Sequence, residues 1–285
     1  MGDLRGKVAI VTGASRGIGK GVALGLAEQG ATVYVTGRTE KDDLLPGFFK
    51  GTTIHQTANE INALGGVGHA VRCDHSNDEE VKELFERVYK ECGRLDILVN
   101  NAWAGANHAM QEYFWNKPFW AQPVGMFDDF YRVGLRSSFT AGSHAAKIMS
   151  DRRSGLIVNI SFFSSRRYWL NAAHGVFKAA TDKLTADMAH DLGDYGVSVF
   201  SLYPGTVSTE GMLEAAKYDP NIDISKMETP RFIGRCIAAM AQDASIHNKT
   251  GSVLIAAEVA KEYSINDING NQPRSLRAEL WADQA

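Results

Sequence analysis

The chain has 285 residues, 44% hydrophobic and 22% charged, which fits one large α/β domain with a sizeable core. A net charge of −3 leaves no electrostatic footprint for nucleic acid or an anionic membrane. No 18-residue apolar run or apolar leader is present, so a soluble, cytoplasmic protein is expected.

Cys73, Cys92 and Cys236 are unclustered. They form neither a disulfide framework nor a zinc spacing, and read as buried thiols. The histidines show no metal pattern either, so no metal is expected.

Val8 to Val11 is a short apolar run, as a buried parallel strand requires. It leads into Gly13-Ala14-Ser15-Arg16-Gly17-Ile18-Gly19 and then a helical pattern in Val22, Leu24, Leu26 and Ala27. Glycines between a strand and a helix let a diphosphate approach the helix N-terminus, where unpaired N–H groups favour negative charge. A dinucleotide site is expected here. Ala31 to Thr36 reads as the second strand, ending at Gly37-Arg38. An acidic residue there would bind a ribose 2′-hydroxyl; Arg38 suits a 2′-phosphate, and Arg16 adds a second positive charge. NADP(H) is therefore preferred to NAD(H).

Residues 39–50 read as an irregular insertion with a Pro46-Gly47 turn. A helix over 53–64 follows, then a strand over 68–73 ending at Asp74. Asp74 suits either the adenine amino group or the cap of the next helix, over 81–91. Strand four, 95–100, runs into Asn101-Ala102-Trp103.

These motifs together resemble the short-chain dehydrogenase/reductase superfamily: Thr12-Gly13-x-x-x-Gly17-Ile18-Gly19, Asp74, and Asn100-Asn101-Ala102. The resemblance runs from about Lys7 to Ile255. YVTGR, NKPFW and AKEYSINDINGNQPRSL look closest to the group of dehydrogenase/reductase family member 1-like proteins. The family implies a doubly wound, Rossmann-like parallel sheet of seven strands with helices on both faces. It also implies a homodimer or homotetramer formed through the helices over 126–150 and 172–192. Trp103 stands where the family has glycine.

Residues 104–125 read as a long loop carrying Tyr113, Phe114, Trp115, Phe119 and Trp120. The density of aromatics suits a wall for a hydrophobic substrate, an aromatic satellite core or a subunit contact. Strand five covers 156–160 and strand six 197–203. Pro204-Gly205-Thr206-Val207-Ser208-Thr209 resembles the family loop that receives the nicotinamide carboxamide, with Thr209 as its contact. A helix over 231–242, a strand over 252–255 and a polar tail from Glu258 complete the chain.

The family places a Tyr, a Lys four residues later, a Ser after strand five and an Asn in the preceding long helix around the reacting carbon. Here Lys178 is in place, but His174 holds the Tyr position and Gly134 the Asn position. The Ser position falls on Phe162, or on Ser161 with a one-residue shift in register. The cofactor set is complete: Gly13, Ser15, Arg16, Gly17, Ile18, Gly19, Arg38, Asp74, Asn101, Lys178, Pro204, Gly205 and Thr209. The proton-handling set is rebuilt. Trp103, Trp115, Trp120, Phe162 and Trp169 are expected to line a substrate pocket, with Arg132, Arg136, Arg166, Arg167 and Tyr168 nearby.

Four readings stay open. In one, His174 is the acid–base of an atypical NADP(H)-dependent oxidoreductase. In the second, the acceptor is an imine or iminium that needs no proton. The third is a non-redox step on retained NADP, such as isomerisation, cyclisation of the Diels–Alder type or lyase cleavage. The last is a non-catalytic cofactor-binding sensor. His174 also reads as a half-buried helix histidine that fills the Tyr space.

Overall fold

A computed structural model describes residues 3–42 and 47–280. The chain alternates strands and helices. Strand β1 (Val8–Val11) and helix α1 (Gly17–Ala27) are followed by β2 (Thr32–Gly37), α2 (Ile54–Ala63), β3 (Val67–Arg72), α3 (Asp78–Cys92) and β4 (Ile97–Asn100). Two short helices, α4 (Gly105–His108) and α5 (Glu112–Asn116), precede α6 (Val124–Asp129) and α7 (Ser137–Asp151). Then come β5 (Gly155–Ile160), α8 (Ala172–Leu192), β6 (Val197–Tyr203), α9 (Glu210–Ala215), α10 (Pro230–Met240), β7 (Val253–Ile255) and α11 (Ala256–Glu262).

The seven strands form one parallel sheet in the order β3-β2-β1-β4-β5-β6-β7. The order reverses between β1 and β4, and the crevice beyond their carboxyl ends is where ligands of such sheets bind. Side chains of β1 alternate between the two faces, as strand geometry demands. Ala9 and Val11 join α1, α2 and α10 in one core; Val8 and Ile10 join α3, α7 and α8 in the other.

Helices α1 and α10 cross in direct backbone contact. A Cβ at Gly21 would lie 2.1 Å from the Pro230 carbonyl carbon, and one at Gly25 would lie 2.7 Å from that of Gly234. Gly21→Ala is therefore expected to cost about 1–3 kcal/mol through overpacking. A thermal melt several degrees lower supports this contact, and an unchanged melt contradicts it.

Four segments differ from the sequence expectation. Residues 104–125 hold α4, α5, a 3-10 turn at Phe119–Ala121 and the start of α6 rather than a continuous loop. The helix expected over 126–150 is interrupted by a π-helical stretch, Phe130–Arg136, which contains Gly134. The insertion carries a 3-10 turn at Gly47–Phe49, and Pro46 lies outside the described residues. The tail expected from Glu258 begins inside α11, because Val259 and Ala260 still pack on the core. Among the described residues, no helix is long and apolar enough to cross a membrane. Nor does any cluster of His, Cys, Asp and Glu fit a metal.

Candidate active site

The glycine loop is fixed from β4. Asn101 Nδ2 donates to the carbonyls of Thr12 and Gly13 at 2.9 and 3.0 Å. Thr12 Oγ1 accepts from the N–H groups of Asn101 and Ala102, both at 2.9 Å. Gly13 and Gly17 take φ values of +63° and +56°, a region that side chains with a Cβ rarely occupy. The close approach also matters: a Cβ at Gly19 would lie 2.4 Å from Asn101 Nδ2. Ser15 lies between the two turns, and Ile18, in the first turn of α1, packs on the core. One loop donor is occupied, since the Gly17 N–H meets Glu210 Oε2 at 2.9 Å.

At the end of β2, Arg38 is half exposed and lies 3.8 Å from Asp74 Oδ2. Asp74 itself accepts from the Ser76 N–H and hydroxyl at 3.0 and 2.7 Å, so it orders the turn before α3. The cap proper is Asn77. Arg16 donates to Thr52 Oγ1 at 2.9 Å and Thr39 Oγ1 at 3.1 Å, and stacks over Phe49 at 4.8 Å. Burial and the neighbouring Arg38 charge lower the Arg16 pKa, while Glu210 opposes the shift. Two guanidinium groups that disfavour one another are a natural seat for an anion. Sequence reasoning missed Phe49 and Thr52, because no local periodicity ties the insertion to the glycine loop.

At the carboxyl end of β5, Lys178 donates to the Ile160 carbonyl at 2.9 Å, with its ammonium over the Phe177 ring. Burial pulls its pKa down to about 7, against the charge of Asp182. Asn171 caps α8, accepting the His174 N–H at 2.9 Å, and donates to the Phe114 carbonyl at 3.2 Å. The cap thereby joins the aromatic segment to the active-site helix. Leu170, just before it, takes φ +70°, a conformation unusual for a bulky residue and found where surroundings over-determine the backbone.

His174 is 7% exposed. Its ring meets Trp103 at 5.7 Å, Phe162 at 6.2 Å and Phe130 at 6.4 Å between centroids. Nδ1 is buried without a hydrogen-bond partner. Burial, reinforced by the Lys178 charge, lowers its pKa to about 3, so the imidazole is neutral at physiological pH. Trp103 reaches this position by lying over Gly105, where a Cβ would fall 1.8 Å from the indole. Gly134 is filled by its neighbour: a Cβ there would lie 2.4 Å from the Phe177 ring.

Three expected site residues lie elsewhere. Ser161 is 1% exposed and its hydroxyl donates to the Lys178 carbonyl at 3.3 Å. It therefore secures α8 to β5, and Phe162 is the residue beside His174. Trp115 is anchored outside the His174 cluster by its donation to the Ala109 carbonyl at 2.7 Å. Trp120 is 76% exposed and packs on Phe119. Of the five aromatics named in that segment, Phe114 is the one fully buried, in a satellite core with Phe130 and Phe177. Trp169 does meet Phe162, at 6.0 Å. Arg136 is held by Asp78, and Arg167 donates to the Glu279 carbonyl of the tail. Leu276 of the tail packs on the small core of Phe163, Tyr203, Ile255 and Ala257, which Phe162 also flanks.

The order of the sheet, the glycine loop and the Lys178 helix point to one family, and the comparisons agree. Residues 7–219 match the short chain dehydrogenase family. The chain belongs to the short-chain dehydrogenases. Among its relatives is dehydrogenase/reductase SDR family member 1 of Mus musculus, 42% identical over 281 residues, covering 95% of this chain and 86% of the relative. The 7alpha-hydroxysteroid dehydrogenase of Escherichia coli K12 is 31% identical over 210 residues, covering 73% and 74%.

A solved 7 alpha-hydroxysteroid dehydrogenase complexed with NADH and 7-oxo glycochenodeoxycholic acid superposes with a TM-score of 0.72 at 26% identity, covering 96% of this chain and 97% of that one. A putative NAD(P)-dependent gluconate 5-dehydrogenase from Beutenbergia cavernae with bound NADP gives 0.74 at 27% identity, covering 89% and 96%. The short-chain dehydrogenases are nicotinamide-dependent oxidoreductases, and the donors at the α1 N-terminus, with Arg16 in the glycine loop and Arg38 just beyond β2, fit such a dinucleotide.

Proposed function

We propose that the protein is an NADP(H)-dependent oxidoreductase acting at a C=O or C=N carbon of a hydrophobic small molecule, with a cationic C=N group as the better-suited acceptor. The observation that carries this reading is the state of His174: neutral, walled by Trp103, Phe130 and Phe162, with Nδ1 unpartnered. A ketone becomes an alkoxide as hydride arrives and needs a proton from a positioned acid. A neutral imidazole is a poor acid, and Phe162 offers no hydroxyl to the oxygen. An iminium carbon accepts hydride and becomes a neutral amine with no proton transferred. Loss of the family's Tyr and Ser then costs little, and the aromatic faces attract the cation before it reacts.

NADPH, when bound, supplies the hydride. The roles of this chain's residues follow from their places. Arg16 and Arg38 hold the 2′-phosphate, with Thr39 and Thr52 orienting Arg16. Gly13 to Gly19 receive the diphosphate, with Glu210 released from Gly17. Asn101 keeps the loop in register, Lys178 holds the nicotinamide ribose, and Pro204, Gly205 and Thr209 receive the carboxamide. The related 7 alpha-hydroxysteroid dehydrogenase complexed with 7-oxo glycochenodeoxycholic acid supports a ring-bearing, largely hydrophobic substrate class.

The test is NADPH oxidation followed at 340 nm against ketones, quinones and cyclic imines, with NADPH binding measured in parallel by calorimetry. Turnover of cyclic imines ahead of matched ketones is expected. Tight binding with no turnover of any class would replace this reading with a non-redox or sensor role.

We further propose that the chain assembles with itself through the face bearing Tyr131, Phe139 and Val176, which are 51%, 60% and 54% exposed. Light scattering of the wild type and Phe139→Glu tests this: a dimer or tetramer that dissociates in the variant is expected, and a wild-type monomer would refute it.

A further inference from the structure

His174, Lys178 and Asp182 stand four residues apart on α8 and so form one row along the helix. The first two face the proposed hydride-transfer site, and the third lies behind them. Asp182 is nevertheless elaborately held. Its Oδ2 accepts the hydroxyl of Tyr203, the last residue of β6, and that hydroxyl also meets Ser165 Oγ on the segment between β5 and α8. Tyr203 is fully buried, with Phe163 against its ring at 5.0 Å. Asp182 Oδ1 is buried and has no hydrogen-bond partner. A carboxylate oxygen left so is costly in a native interior and calls for an explanation.

We infer that Asp182, clamped by Tyr203 and Ser165, is a positioning residue that keeps the Lys178 side chain charged for its work on the cofactor. This rests on the reading above in which Lys178 holds the ribose. Lys178 is buried, and burial disfavours the ammonium. The Ile160 carbonyl and the Phe177 ring offer it a dipole and a quadrupole, neither of which is a full charge. His174 is neutral and would repel it if charged.

Among the described residues, the charged groups on the other elements around α8 are engaged elsewhere or act on Tyr203. The π-helical stretch faces Phe177 with Gly134, its Arg136 is held by Asp78, and Asp129 of α6 is held by His108. From β6 comes Tyr203, whose phenol burial and Asp182 hold in its protonated, donating form, while the Ser165 hydrogen bond and Arg166 act in the opposite sense. Among the described residues, the Asp182 carboxylate favours the charged lysine. The row also explains how Lys178 is kept in place in a chain without the family's Tyr and Asn: its support comes from behind, along its own helix.

The experiment is a pH titration of the Lys178 Nζ resonance in 15N-lysine-labelled protein, assigned by its loss in Lys178→Met. The wild-type midpoint is expected near 7. Asp182→Asn keeps the side-chain shape and an acceptor for Tyr203 but removes the charge, so the midpoint is expected to fall by about one pH unit or more. Asp182→Ser, neutral and smaller, is expected to do the same should the asparagine variant not fold. Asp182→Glu is expected to return the midpoint toward the wild-type value. A midpoint unmoved in either folded neutral variant would overturn the inference. The titration needs no substrate, so failure of every substrate in the panel would count against the proposed function alone.

Discussion

His174→Tyr is expected to raise kcat for NADPH-dependent reduction of a cyclic ketone by about 100-fold or more, the usual contribution of a positioned general acid. The imidazole is held neutral by burial and Lys178, with its pKa near 3, so the wild-type site has no stored proton to give. A phenol at the same position would stand four residues before Lys178, whose proximity lowers its pKa toward a useful range. The larger ring must displace Trp103, now 5.7 Å away, and that makes Trp103→Gly the natural companion change. Iminium reduction is expected to change little in the same variant, because that reaction requires no acid. The comparison is made with matched ring skeletons under saturating NADPH. Ketone activity that fails to rise in a folded, NADPH-binding variant would show that the missing phenol is not what limits the site.

Arg38→Ala is expected to weaken NADPH binding by about 10- to 100-fold while NADH binding changes little. A charge-assisted contact to a phosphate is worth roughly 1.5–3 kcal/mol, and NADH has no 2′-phosphate to lose it. Arg38 is half exposed and only loosely paired with Asp74, so it is free to turn toward the cofactor. Arg16→Ala is expected to weaken both cofactors, because Arg16 also braces the insertion through Thr39, Thr52 and Phe49. Calorimetric titration of each variant with both cofactors reads the difference directly. Equal loss of NADPH and NADH in Arg38→Ala would refute the 2′-phosphate assignment.

The glycine loop and the strands around it were legible because their signals are local. The buried run Val8–Val11, the turns at Gly13 and Gly17, and the apolar face of α1 all lie within twenty residues. The bounds expected for α8 and β6 coincide with those found, since both are long periodic segments flanked by turn residues. The aromatic segment was not legible, because composition does not say which face a ring takes. Phe114 goes inward and Trp120 outward, a choice made by contacts with Phe130 and Phe177 far along the chain.

Ser161 and Phe162 illustrate the same limit in one residue step. Adjacent residues at a strand end point to opposite sides, and the hydrogen bond of Ser161 to the Lys178 carbonyl decides which one faces His174. The pairing of Gly134 with Phe177, and of Gly105 with Trp103, likewise exists only in three dimensions. Each glycine makes room for a ring supplied by another element or another turn. The bracing of Asp182 by Tyr203 and Ser165 belongs to this class too: three unremarkable residues in the sequence become one group when β6 is laid beside β5.

The most direct test of the account is transfer of deuterium from NADPH labelled at nicotinamide C4 to an N-methyl cyclic iminium, with the amine product weighed by mass spectrometry. Both C4 labels are tested, so that either face of the nicotinamide can serve. A product one mass unit heavier with one of the two labels is expected, formed at least ten times faster than the alcohol from the matched ketone. An unlabelled product with both, or an equal rate on the ketone, would contradict it.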